Sequence, residues 1–236
     1  MSGTEGRRAG PAALLALFLA LAVLTWQRAG VWATQRALWE DAAAKSPDKA
    51  RVHLSLGYAL RLEGRYPEAV AEYRRGLAGR TDPETAQQLR RNLGAALIWA
   101  GRHAEAVVVL QEALADRPGD SELLGNLGSA ALGLGDPALA AASARQAVAA
   151  DEENGSAWNV LGSALQAQGD LAGARLAFQR AAALDPDDGL PARNLARVLD
   201  RLGDAAGACQ ARRRALGGRL APGFRDEVQR ALAGCP

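Results

Sequence analysis

The chain has 236 residues, 28 basic and 26 acidic side chains, a net charge of +2 and 5% aromatic residues. So balanced a charge argues against a dedicated nucleic-acid binder, and alanine-rich, aromatic-poor composition disfavours a β-sandwich or barrel. Two cysteines and two histidines, His53 and His103, 50 residues apart with no metal-ligand spacing around either, could barely assemble the about four ligands of a structural zinc site.

At the start, Arg7 and Arg8 precede an uncharged stretch from Ala9 to Trp26, strongest over Ala12 to Leu24. A basic flank before a short apolar run predicts a membrane or export signal in residues 1–33. Two versions are open. An uncleaved anchor would make a single-pass membrane protein with Trp26 and Trp32 at the far interface and everything beyond outside the cytoplasm. A signal peptide cut after Ala33, in Val31-Trp32-Ala33, would leave a periplasmic or secreted chain.

Residues 34–49 read as a linker and an N-terminal capping helix. From residue 50 the chain repeats itself. Marker glycines Gly94, Gly128 and Gly162 stand 34 residues apart. Gly57 precedes them by 37 residues, and Ala196 takes the marker place in a later unit. Each unit predicts two helices around a glycine turn (Gly64-Arg65, Gly101-Arg102, Gly135-Asp136, Gly169-Asp170, Gly203-Asp204), where glycine accepts a left-handed backbone. Two antiparallel helices approach closely only if small residues stand between them. The first helix supplies the marker glycine, the second Ala69, Ala106, Ala140 or Ala174. One turn later Tyr73, Leu110 and Phe178 are large enough to fill the space where the pair diverges.

This pattern resembles the tetratricopeptide repeat family. Residues 155–188 carry Trp158, Leu161, Gly162, Ala174, Phe178, Ala181 and Pro186 at the family's places 4, 7, 8, 20, 24, 27 and 32. The resemblance implies an all-α fold, an open right-handed superhelical α-solenoid of helix-turn-helix repeats, over 50–222: 50–86, 87–120, 121–154, 155–188 and a degenerate 189–222. Trp39, Ala42 and Pro47 sit at the spacing of a lone second helix before the array. Residues 223–236 read as a C-terminal capping helix, with Phe224, Val228 and Leu232 on one face.

The resemblance further implies that places 2, 5, 6, 9, 12 and 13 of the first helices line a groove. Asn92, Asn126 and Asn194 fall at place 6 and Asn159 at place 5; such a row can pair with the backbone of an extended peptide. Arg51 and Arg61 at one end, Arg91 beyond them, and Arg193, Arg197 and Arg201 at the other end suit an acidic segment or a free C-terminus. Pairing with local acids such as Glu122 or Asp200 is the competing use of these arginines. Trp99, with Leu62 and Ile98, offers an apolar patch.

No nucleophile elbow, zinc-protease motif, Walker loop or dinucleotide fingerprint occurs, so neither an enzyme nor a cofactor or metal site is expected. His53 reads as packed and His103 as exposed in its turn. The predicted function is a membrane-tethered or exported scaffold binding a protein or peptide. The alternative is an accessory or regulatory subunit of an envelope enzyme or assembly machinery. Cys209 and Cys235 are expected to pair, since the export signal would place both in an oxidising compartment where a disulfide persists; the alternative, a capping helix that points its end away, leaves Cys209 as a small packed residue and Cys235 loose in the tail.

Overall fold

A computed structural model describes residues 11–31 and 34–235. Among the described residues there are thirteen α-helices and no strand. The chain divides into two compact units, residues 1–86 and 87–236.

The first unit holds α1 (Pro11–Val31), α2 (Gln35–Lys45), α3 (Ala50–Leu62) and α4 (Tyr66–Ala78), and α5 (Pro83–Trp99) begins in it. Thr34 caps α2, its hydroxyl accepting from the Ala37 amide at 3.0 Å. Helix α3 packs against both α2 and α4. Gly57 of α3 lies under the Tyr73 ring of α4: a Cβ there would meet Tyr73 Cε1 at 2.5 Å. His53 is buried as expected, its Nδ1 2.8 Å from Glu72 Oε2 and its Nε2 2.7 Å from the Pro47 carbonyl.

The single-pass membrane expectation is corrected here. Among the described residues no helix is long and apolar enough to cross a membrane. The strongest apolar part, Ala12 to Leu24, rises about 20 Å at 1.5 Å per residue, against a hydrocarbon core of about 30 Å. Arg7, Arg8 and the proposed cut beside Trp32 and Ala33 lie outside the described residues.

The second unit contains α6 (His103–Asp116), α7 (Ser121–Leu134), α8 (Pro137–Ala150), α9 (Gly155–Ala167), α10 (Leu171–Leu184), α11 (Gly189–Arg201), α12 (Ala205–Gly217) and α13 (Pro222–Leu232). Helix pairs α7/α8, α9/α10 and α11/α12 form hairpins, and the first helices α7, α9 and α11 also pack on one another. The hairpin turns share one device. Gly135 closes α7 at φ 77°, and the equivalent turn glycines all have positive φ, from 73° at Gly101 to 85° at Gly169. The following aspartate then caps the second helix: Asp136, Asp170 and Asp204 accept from the amides of Leu139, Gly173 and Gly207 at 2.8–2.9 Å. Gly101-Arg102 lacks that side-chain cap; Arg102 pairs instead with Glu105 at 2.6 Å.

Alanines 140, 174 and 208 are wholly buried between their helices. A Cβ on Gly94 would meet Leu110 at 2.5 Å, and one on Gly162 would meet Phe178 at 2.7 Å. His103 is not free in its turn: it opens α6, and its ring stands where a Cβ on Gly133 would go. Sequence spacing located the turn but could not show that Gly133, thirty residues on, leaves room for the ring.

Candidate functional site

The residues singled out for a groove sit on first helices, and their surroundings sort them. Along α5, Asn92 donates to the Gln88 carbonyl of its own helix at 2.9 Å. On α7, Asn126 is half-buried. It borders a recess of about 310 Å³ with Glu122, Gly125, Asp151, Asn154 and Ser156. Asn159 of α9 and Asn194 of α11 meet directly, the Asn194 amide donating to Asn159 Oδ1 at 3.1 Å. The row is therefore continuous only between its last two members.

The arginines divide similarly. Arg91 donates to Glu122 at 2.6 Å and to Asp120 at 3.2 Å. Arg193 reaches Glu227 of α13 at 2.5 and 3.2 Å, and its guanidinium lies 4.1 Å from the Phe224 ring centroid. Asp200 is engaged by Arg212, which leaves Arg197 and Arg201 exposed with no acidic partner among the described residues. Local pairing thus claims Arg91 and Arg193 but not Arg197 or Arg201.

In the first unit, the Arg51 side chain is 81% exposed and only 3.9 Å from Asp82. The Arg61 guanidinium covers the Tyr58 ring at 4.9 Å. Leu62 is exposed there; in the second unit Trp99 is exposed and Ile98 half-buried. A separate cleft of about 570 Å³ in the first unit is lined by Ala43, Ala44, Leu56 and Ala78 with Glu40, Asp48, Glu72 and Arg75; sequence reasoning missed it, because it arises where several alanines leave space between helices.

Cys209 of α12 and Cys235 are joined by a disulfide, Cα to Cα 5.8 Å. The Arg212 guanidinium lies 3.9 Å from each sulfur. Helix α13 is further held by Arg225, which donates to the Leu216 and Gly218 carbonyls at 3.0 Å. Val228 is buried with Ala182, Ala192 and Ala215.

A row of packed helix hairpins belongs to the class of repeat scaffolds that bind other proteins. Three tetratricopeptide repeat profiles match the sequence, over residues 35–86 and 126–189, 88–117 and 189–214. The chain belongs to the tetratricopeptide repeat family, and its fold is the all-α solenoid of that family. No curated protein sequence matches it. Among solved structures it is similar to the Cut9–Hcn1 hetero-tetramer of the APC/C (TM-score 0.69, 20% identity, 84% of this chain), although it spans only 39% of that chain. It is also similar to TTC0263, a thermophilic TPR protein of Thermus thermophilus (TM-score 0.68, 19% identity, 78% of this chain and 99% of that one). A third similar structure is YrrB, a TPR protein with an unusual peptide-binding site (TM-score 0.53, 18% identity, 81% and 97%). At such identities the likeness speaks for the fold alone.

Proposed function

We propose that the second unit binds an extended segment of a partner protein along the first-helix face of α7, α9 and α11, with an acidic stretch or a free C-terminal carboxylate at the α11 end. One observation carries this reading: Arg197 and Arg201 are exposed without a local acid while the other basic candidates of this unit, Arg91 and Arg193, are engaged. Guanidinium groups hold carboxylates through parallel charge-assisted hydrogen bonds. The Asn159–Asn194 pair lies on the neighbouring turns, and Asn126 with its recess offers both a donor and an acceptor to a peptide backbone. The likeness to YrrB, whose peptide-binding site is part of its description, agrees with a peptide ligand. The role is binding rather than catalysis, as a scaffold or as an accessory subunit of a larger machine.

Fluorescence anisotropy against a set of extended peptides, acidic and neutral, each with free and amidated C-termini, tests the reading. Acidic peptides should bind preferentially, and Arg197→Glu should weaken them about tenfold or more, the worth of one charged hydrogen bond. Asn126→Ala should weaken all extended peptides alike. Equal binding of neutral and acidic peptides, together with no loss of affinity on amidating the C-terminus, would overturn the proposal.

A further inference from the structure

Helix α13 follows a linker that the chain uses twice. Gly79-Arg80 with Pro83, and Gly218-Arg219 with Pro222, occupy matching positions. Each linker makes one isolated parallel bridge, Lys49 with Arg80 and Asp188 with Arg219. Each then starts a helix at its proline, α5 and α13. Ala50 to Gln87 and Gly189 to Asp226 are both 37 residues apart. Counting from Asp226 as place 1, Val228 falls at place 3. It is buried, as are Leu89, Leu123 and Ala157 at that place in their own repeats.

The ion pairs repeat as well. Arg91, at place 5 of its repeat, bonds Glu122 at place 2 of the next. Arg193, again at place 5, bonds Glu227, again at place 2 when counted from Asp226. Helix α13 therefore stands beside α11 in the position of a further first helix. Both helices begin next to the Asp188–Arg219 bridge, so they run in the same direction. Arg230 is then one turn beyond Glu227, and Arg197 is one turn beyond Arg193. In repeat register Arg230 falls at place 5, the place of Arg193, and Arg197 at place 9, so the two guanidinium-bearing positions are about one helical turn apart on neighbouring helices. Arg230 is exposed, and its Nε donates to the Asp226 carbonyl of its own helix at 3.3 Å. Its terminal nitrogens have no carboxylate among the described residues.

We propose that α13 is a binding wall rather than only an end cap, and that Arg230 joins Arg197 and Arg201 in holding the anionic end of an extended ligand. The Cys209–Cys235 disulfide positions that wall by tying the end of α13 to α12. This rests on the reading of the first-helix face given above. It adds a residue, Arg230, and a dependence on the disulfide that the earlier reading does not require.

The test uses the full chain in oxidising buffer and a fluorescein-labelled hexaglutamate peptide with a free C-terminus, read by anisotropy. Arg230→Glu is expected to weaken binding about tenfold or more, the effect of losing one charged hydrogen bond. Arg175→Glu makes the same charge change on the exposed side of α10 and should leave affinity within twofold or so, because bulk charge is screened over about 8–10 Å. The double variant Cys209→Ser, Cys235→Ser should bind more weakly than the parent and exchange its α13 amides faster, while the α7–α10 amides stay protected. If Arg230→Glu binds like Arg175→Glu while Arg197→Glu is still impaired, the α13 proposal fails and the first-helix reading stands. If Arg197→Glu also binds like Arg175→Glu, or the parent does not bind the peptide, both fail.

Discussion

Hairpins α9/α10 and α7/α8 close the same gap by different means. In α9/α10, the space above Gly162 is filled from within the hairpin, by the ring of Phe178 at place 24. In α7/α8 that place holds Ala144, which is too small. There a Cβ on Gly128 would instead meet Val160 Cγ1 at 2.9 Å, a side chain supplied by α9 of the following repeat, and the Ala140 carbonyl at 3.2 Å. One hairpin is self-filled and the other is finished by its neighbour. A repeat can lose its large residue when the next repeat supplies the volume, and the result is tighter coupling between repeats. In a solenoid, where stability is a sum of repeat and interface terms, α7/α8 carries more of its stability in the interface.

Substitutions in either hairpin can break this contrast. The largest effect should come from Phe178→Ala, since Phe178 is fully buried: a loss of about 3–5 kcal/mol, read as a shift in the urea midpoint, with exchange rising first in α9/α10. Gly162→Leu should cost about 1–3 kcal/mol by overpacking against Phe178. If it melts like the parent, the helix-contact assignment is wrong. Val160→Ala should cost about 1.5 kcal/mol for two methyl groups, and its mark should appear in α7/α8 amides as well as in α9. Exchange confined to α9 would contradict the neighbour-filling account.

The last effect appears only in alkali and concerns Tyr73, the self-filling residue of α3/α4. Burial pushes its phenol up to about 12, the nearby Arg61 guanidinium offsetting only part of the shift. The folded state resists losing this proton more than the unfolded chain, whose tyrosines titrate near 10. The contribution is therefore complete below about pH 10 and lost as pH rises toward 12. Tyr73→Phe should flatten the alkaline fall in the stability of the first unit; an unchanged profile would mean another group dominates.

Much of this was legible from residues in register. Leu-Gly pairs 34 residues apart require a recurring close helix contact, and the Gly-Asp turns spell both the left-handed closure of one helix and the cap of the next. For the arginines the sequence left two uses open, a ligand or a local acid such as Glu122, and could not decide between them. Arg91 and Arg193 are engaged by acids 31 and 34 residues away, and a spacing that changes with linker length cannot be read as a fixed motif. The likeness of α13 to a first helix was hidden for the same reason, since the linker at Gly218 moves its register by three residues relative to the 34-residue spacing.

By itself, the sequence determined the repeat, the hairpin and the places of the small residues, because backbone turns and close helix contacts depend on residues within one period. It also brought Cys209 and Cys235 into question together without deciding whether they meet. Only the tertiary structure decided which side chain fills each gap, which arginines keep an open guanidinium, and that α13 returns its end to α12. Those outcomes depend on the distance between atoms of neighbouring repeats, where an ångström separates a satisfied charge from a free one.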